Sequence, residues 1–373
     1  MVIGAGIAGA SVAAELSKEA RVVILEAESQ PGYHATGRSA ALYTENYGPP
    51  AARMLTRASR EFFTQPPDGF ADYPLLNRRG VMIIAGPGDA PMLDALVEAA
   101  AGQGTRMERL STGEAQARVP ILRADRLDGA LYEPNAFDID VAGLLQGYLR
   151  QARLGGASLI CDAPVVALER HDGLWHVETR SGKTYAAPVV VNAAGAWCDD
   201  IAGLAGLGPL GLQPKRRSAC IIAAPSGADV STWPAVGDVR ERFYFKPEAG
   251  KLMVSPADAT PVAPQDAWAE DIDIARGIDR LQQATTITVR RIEQSWAGLR
   301  TFAPDEVPVV GFDARVQGFF WLAGQGGWGI QTSPALARLA ARLVCGQPVP
   351  DDLAALGLDA RTVAPARLRS QTL

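Results

Sequence analysis

Three glycines and one acid near the front of the chain have the types and spacing of a pyrophosphate site. They stand in Val2-Ile3-Gly4-Ala5-Gly6-Ile7-Ala8-Gly9 and, after the apolar run Val22-Val23-Ile24-Leu25, at Glu26. Gly4 permits a tight turn, Gly6 lets a pyrophosphate approach the backbone, and Gly9 lets a helix pack against the strands. The free N–H groups that open the helix attract the anion, with Ile7 and Ala8 in its first turn. Glu26, 17 residues beyond Gly9, would accept from ribose hydroxyls and repel a 2′-phosphate. A second glycine cluster, Gly324-Gln325-Gly326-Gly327-Trp328-Gly329, precedes the apolar helix that starts at Ile330. Such backbone lets a flat ring come close. N–H groups from Ile330 through Gln331 to Thr332 would stabilise negative charge on that ring. Ordinary loop turns are the alternative for these glycines.

These pieces require strands that end together and a helix that starts at each glycine turn. The expected order is strand, turn, helix over residues 10–18, and a second strand ending at Glu26, a dinucleotide-binding βαβ unit. An irregular loop over residues 31–41 follows, then a helix over 51–63, a buried strand over 81–85 and a helix over 89–102. Ser111 and Glu114 are spaced as a capping box. Residues 140–154 read as a helix, and 157–161, 165–169 and 175–179 as successive strands. The apolar run 187–192 reads as one central parallel strand leading into Asn192-Ala193-Ala194-Gly195. From residue 212 strands dominate, at 217–223, 242–246 and 251–255. A helix over 271–283, an extended stretch 286–299 and strands at 307–310 and 319–323 lead to the last helix, 330–344. Nucleotide-binding pieces thus come from the front, the middle and the end of the chain. The expected division is cofactor domain 1–80, substrate domain 81–135, cofactor domain 136–210, substrate domain 211–300, and cofactor domain 301–373.

The 373 residues suffice for two such domains, and 47% hydrophobic with 21% charged residues describes an ordinary globular chain. A formal charge of −5 argues against nucleic-acid binding. No apolar stretch reaches the ~20 residues of a membrane span, so peripheral association is the most a membrane would offer. No leader is expected before a fold that begins at once. The four cysteines have no metal spacing and read as free thiols of a cytoplasmic protein, and three histidines make no metal cluster. No Ser/His/Asp set or carboxylate pair supports hydrolysis.

Three features favour flavin over nicotinamide. Arg38-Ser39-Ala40 can bring a cation and a hydroxyl to phosphates or ring. Small residues at Ala193, Ala194 and Gly195 leave room for a long cofactor, and the glycine cluster before Ile330 suits a ring. Together with Gly32-Tyr33-His34-Ala35-Thr36-Gly37-Arg38-Ser39-Ala40-Ala41, Asn192-Ala193-Ala194-Gly195-Ala196-Trp197-Cys198, Pro214-Lys215-Arg216-Arg217, Trp296-Ala297-Gly298-Leu299-Arg300 and Gln325-Gly326-Gly327-Trp328-Gly329-Ile330-Gln331-Thr332, these motifs resemble the D-amino acid oxidase-like, or glycine oxidase-like, flavoproteins. Within that group the chain is most similar to bacterial FAD-dependent D-arginine dehydrogenases.

The resemblance implies an α/β fold: a glutathione-reductase-like FAD-binding Rossmann domain with an interleaved α+β substrate domain carrying a mixed sheet. It implies non-covalent FAD, an amino acid substrate, and oxygen or a quinone as electron acceptor. The expected reaction is oxidative deamination of a D-amino acid by hydride transfer from Cα to flavin N5. The imino acid is then hydrolysed to a 2-oxo acid and ammonia. Glycine or sarcosine oxidation, and a non-catalytic electron-transfer subunit, are the alternatives.

By the same resemblance Arg216 and Arg300 hold the substrate carboxylate, a role that suits planar guanidinium groups. In a strand Arg216 points opposite to both of its neighbours. Tyr244 matches a carboxylate-binding tyrosine and Tyr47 a lid tyrosine, with core packing the alternative for both. Gly327 and Gln331 match positions near substrate and flavin. Ala27, Ala41, Val166, Trp197 and Gly298 carry over as cofactor contacts. His34 reads as structural or cofactor-contacting rather than as a base. Leu42 and Val81 replace a histidine and an acid of the arginine enzymes. An apolar pocket would then favour neutral side chains, unless Glu45 substitutes.

Overall fold

The computed structural model describes residues 1–101 and 106–369. Gly102, the last residue of the expected helix 89–102, lies outside them, and the helix spans Ala90–Ala100. A six-stranded sheet draws on three separate stretches of chain. Phe319–Ala323, Val190–Asn192, Val2–Ile3, Val23–Leu25 and Ser158–Ile160 lie side by side in parallel, with Val309–Phe312 antiparallel at one edge. Ala323, Asn192, Ile3 and Leu25 therefore end at the same sheet edge, which is where open α/β sheets bind ligands. Helices Ile7–Leu16, Val141–Leu154 and Gly329–Val344 pack together against this sheet and bury the largest apolar cluster.

A second, mixed sheet of nine strands includes Val81–Ala85, Gly129–Glu133, Gln213–Ile222, Tyr244–Glu248 and Lys251–Ser255. Ile292–Phe302 pairs antiparallel with Gln213–Ile222 along nearly its whole length, so these two strands share one register. The capping box at Ser111 is formed, with both reciprocal bonds present. The expected single strand over 187–192 is instead two. Thr184–Ala187 closes a three-stranded antiparallel sheet, and Val190–Asn192 enters the parallel one. Pro188 lies in the connection between them and cannot donate to a ladder. The extended stretch begins as a strand only at Ile292.

Candidate active site

A cavity of about 550 Å³ opens at the shared strand ends and reaches the nine-stranded sheet. Its first part is built by the glycine turn. Gly4 has φ +98°, and a Cβ there would lie 2.6 Å from the Ala193 carbonyl oxygen. At Gly9 a Cβ would meet the Gly4 carbonyl oxygen at 1.9 Å, so Gly9 serves helix packing and does not line the cavity. Glu26 takes the Ala5 N–H at 2.6 Å on one oxygen and the Glu28 N–H at 3.0 Å on the other. Each oxygen keeps a lone pair for a hydroxyl. Thr36, which sequence reasoning passed over, accepts the Ile7 N–H at 2.9 Å.

Gly4, Gly6, Ile7, Ala8, Glu26, Ala27, Arg38, Ser39, Ala40, Ala193, Ala194, Gly195, Trp197, Gly298, Gly326, Gly327, Gly329 and Ile330 all line the cavity. Arg38 is not free for an anion. Its guanidinium bonds Asp266 at 2.5 Å and the Ala267 and Ala297 carbonyls, tying the loop to the second sheet. His34 bonds Glu28 at 2.8 Å and packs on Trp197.

The last long helix starts one residue earlier than expected, at Gly329. Its ladder begins with Thr332 N–H to the Trp328 carbonyl at 3.1 Å, so Thr332 is not one of the open donors. The N–H groups of Gly329, Ile330 and Gln331 precede that first bond and suit an acceptor of negative charge. Gln331 and Thr332 are buried in the helix and do not line the cavity.

At the other end Arg300 and Tyr244 face the cavity, and so does Arg217, not Arg216. Register explains the correction. Arg300 pairs with Lys215 and Gly298 with Arg217, so strand alternation places Arg217 and Arg300 on one face and Arg216 on the other. There Arg216 meets Glu270 at 2.9 Å, Asp273 at 2.8 Å and Asp258 at 3.6 Å. Arg217 donates to the Asp258 carbonyl at 2.6 Å and hydrogen-bonds the Tyr244 hydroxyl, and Arg300 donates to the Tyr47 hydroxyl at 3.2 Å. Among the described residues neither is ion-paired.

Burial, and then the neighbouring Arg300, lower the Arg217 pKa. Burial also pulls on Arg300, but the Tyr47 and Tyr244 hydroxyls more than offset it and its pKa rises. Burial pushes the Tyr244 phenol up, and the two guanidiniums bring it below its ordinary value. A cavity end with two cations, a tyrosine and, among the described residues, no paired carboxylate suits an anion.

Other expected residues fall elsewhere. Val166 is 41% exposed, and Val165 lines the cavity in its place. A register irregularity between Val165 and Ala167 turns Val166 outward. Ala41, Leu42 and Val81 do not line the cavity, because they belong to strand pairings beside it. Tyr47 does not line the cavity itself, and its hydroxyl meets Arg300 beside Gly327. Glu45 is buried and accepts from the Tyr43 hydroxyl and Arg60, so it is engaged away from the cavity.

The FAD dependent oxidoreductase (DAO) family matches residues 1–343. The glycine oxidase of Geobacillus kaustophilus (strain HTA426) is 29% identical over 262 residues, spanning 69% of this chain and 67% of that protein. The crystal structure of glycine oxidase from Geobacillus kaustophilus superposes with a TM-score of 0.85 at 23% identity, covering 98% of this chain and 97% of that one. L-proline dehydrogenase from P. horikoshii does so at 0.84 and 20%, covering 100% and 98%.

Proposed function

This chain belongs to the FAD dependent oxidoreductase family, and on that premise we propose that it oxidises the carbon–nitrogen bond of a small, uncharged α-amino acid, of D configuration where Cα is chiral. The cradle fits FAD. The glycine turn has no room for side chains, Glu26 retains ribose-binding capacity, and the Gly329–Gln331 donors suit a ring that gains negative charge. On the motif resemblance we read FAD as non-covalently held.

The observation that carries the reading is the pair of cations, Arg217 and Arg300, without carboxylate partners at one end of that cavity. A substrate carboxylate supplies the missing charge, and Tyr244 adds a hydroxyl. Two guanidiniums against one carboxylate leave net positive charge nearby, which favours the neutral amine over the ammonium. Anchoring the carboxylate at several points sets the direction of the Cα–H bond. The flavin, when bound, supplies the two-electron oxidant, and water hydrolyses the released imino acid to a 2-oxo acid and ammonia.

The preference for an uncharged side chain rests on the cavity lining. Its acids, Glu26, Glu28 and Asp200, come from the strand-end segments and not from the face that carries Arg217, Tyr244 and Arg300. A cationic side chain would lie there without a counter-charge. Small size is supported by the likeness to glycine oxidase, and the D configuration by the motif resemblance.

Anaerobic titration of the yellow protein with each D- and L-amino acid, glycine and sarcosine tests this reading. Bleaching by small neutral substrates is expected. No bleaching by any of them, or D-arginine as the best substrate, would overturn it. A companion expectation concerns Gly327. A Cβ there would lie 2.8 Å from Arg300 Nη1 and 3.1 Å from the Tyr47 hydroxyl. Gly327→Ala should therefore displace the guanidinium and raise KM by about tenfold or more, while the FAD content stays near that of the parent. Steady-state kinetics beside the flavin-to-protein absorbance ratio checks it.

A further inference from the structure

Glu133 ends the strand Gly129–Glu133, is 3% exposed, and has no part in the reading above. A buried carboxylate needs hydrogen-bond donors, and this one finds them on a single segment. The Thr44 hydroxyl donates to one oxygen at 2.7 Å, and the Glu45 N–H donates to the other at 3.2 Å. The same segment is held from the opposite side, where the Thr44 N–H donates to the Gln331 carboxamide oxygen at 3.1 Å. Two residues further on, the Tyr47 hydroxyl receives Arg300 at 3.2 Å. A continuous path thus runs from Glu133 through residues 44–47 to the carboxylate-binding cation.

We propose that Glu133 is a positioning residue. It anchors residues 44–45 so that Tyr47 meets Arg300 and completes the carboxylate-binding end of the cavity. This rests on the reading that Arg300 holds a substrate carboxylate. Ionised, the acid accepts on both oxygens at once, whereas the protonated acid keeps its second bond only if the Thr44 hydroxyl turns to accept. A glutamine offers one acceptor oxygen, and its N–H₂ group meets the Thr44 hydroxyl only if that hydroxyl reverses to accept.

Charged and titratable groups around Glu133 are Glu45 on the segment, Arg53 on the helix Pro50–Thr64, and the Tyr43 hydroxyl. Burial pushes the Glu133 carboxyl up, and Glu45 adds to the push against its hydrogen bonds. Protonation as pH falls would remove one acceptor, so KM rises toward acid.

The test uses the FAD-loaded protein and the variants Glu133→Gln, Thr44→Val, Tyr47→Phe, Arg300→Met and the Glu133→Gln/Tyr47→Phe double. KM and kcat are measured with the best amino acid. The Kd of benzoate, a non-oxidisable carboxylate, is read from the flavin spectrum. Glu133→Gln and Thr44→Val should each raise KM and Kd about tenfold, with kcat within about twofold. The double should bind no more weakly than Tyr47→Phe alone, because both changes act through one hydroxyl. The rise of the benzoate Kd toward acid should be weaker in Glu133→Gln than in the parent.

Unchanged KM and Kd in both Glu133→Gln and Thr44→Val, or additive losses in the double, would overturn the proposal. Arg300→Met separates the two levels. If it binds benzoate as the parent does, the carboxylate reading fails. If it loses benzoate while Glu133→Gln and Thr44→Val keep it, only the anchor fails.

Discussion

Arg217→Met should lower kcat/KM for the preferred amino acid by roughly 10²–10³-fold, whereas Arg216→Met should leave it within about threefold. Removing one partner of a desolvated, hydrogen-bonded charge pair costs about 2–5 kcal/mol, and each 1.4 kcal/mol is roughly tenfold. Arg217 faces the cavity bound to a backbone carbonyl and the Tyr244 hydroxyl, with no carboxylate partner among the described residues. Arg216 lies on the other face of the same strand among Asp258, Glu270 and Asp273.

Stability should move the opposite way. Arg216→Met leaves Asp258 and Asp273, both largely buried, with fewer donors, and should cost about 1–3 kcal/mol of folding free energy. Arg217→Met removes a half-buried cation without an ionic partner among the described residues, so the substrate-free protein should unfold at the same denaturant concentration or a higher one. Steady-state kinetics beside urea melts of both variants checks the pair of expectations. A large kinetic loss at Arg216 with none at Arg217 would reverse the assignment.

Gly9→Ala should yield protein with little or no bound FAD and a loss of about 3 kcal/mol or more in stability. The added methyl would lie 1.9 Å from the Gly4 carbonyl oxygen. That atom is backbone, so relief requires moving the helix Ile7–Leu16 or the turn itself. Either motion displaces the N–H groups that would meet a pyrophosphate. Gly203→Ala is the control. Gly203 lies in the helix Cys198–Leu204, and a Cβ there meets nothing within 4 Å. Alanine at that position should stabilise by about 0.4–1 kcal/mol and leave the flavin spectrum unchanged. Flavin content after desalting and the denaturation midpoint report both results.

The local grammar of the chain was enough for the cofactor end. Gly4, Gly6, Gly9 and Glu26 are close in sequence, and their types and spacing mark the turn locally, although Ala193 from a distant strand adds to the crowding at Gly4. The glycines before the helix Gly329–Val344 were legible for the same reason. The substrate end was legible only in kind. Tyr244 and Arg300 face the cavity, but the second guanidinium there is Arg217, one residue beyond the expected Arg216. Val166 was displaced by one position in the same way.

Both slips have one physical origin. Side chains on a strand alternate with period two, so a shift of one residue exchanges the two faces. Lys215-Arg216-Arg217 carries no apolar alternation that could set the phase. The phase comes from Arg300 pairing with Lys215, more than 80 positions away, and at Val166 from an irregularity in the ladder. Glu133 was silent for a related reason. Its partners, Thr44 and Glu45, stand 89 and 88 residues earlier, and nothing local marks it as their anchor. Residue types and short spacings by themselves therefore determined a glycine turn of the dinucleotide-binding kind and basic and phenolic groups suited to a carboxylate. Which of those groups share a face, and what holds them there, was decided only by strand register and long-range packing, because alternation reports spacing along a strand but not its phase relative to a distant partner.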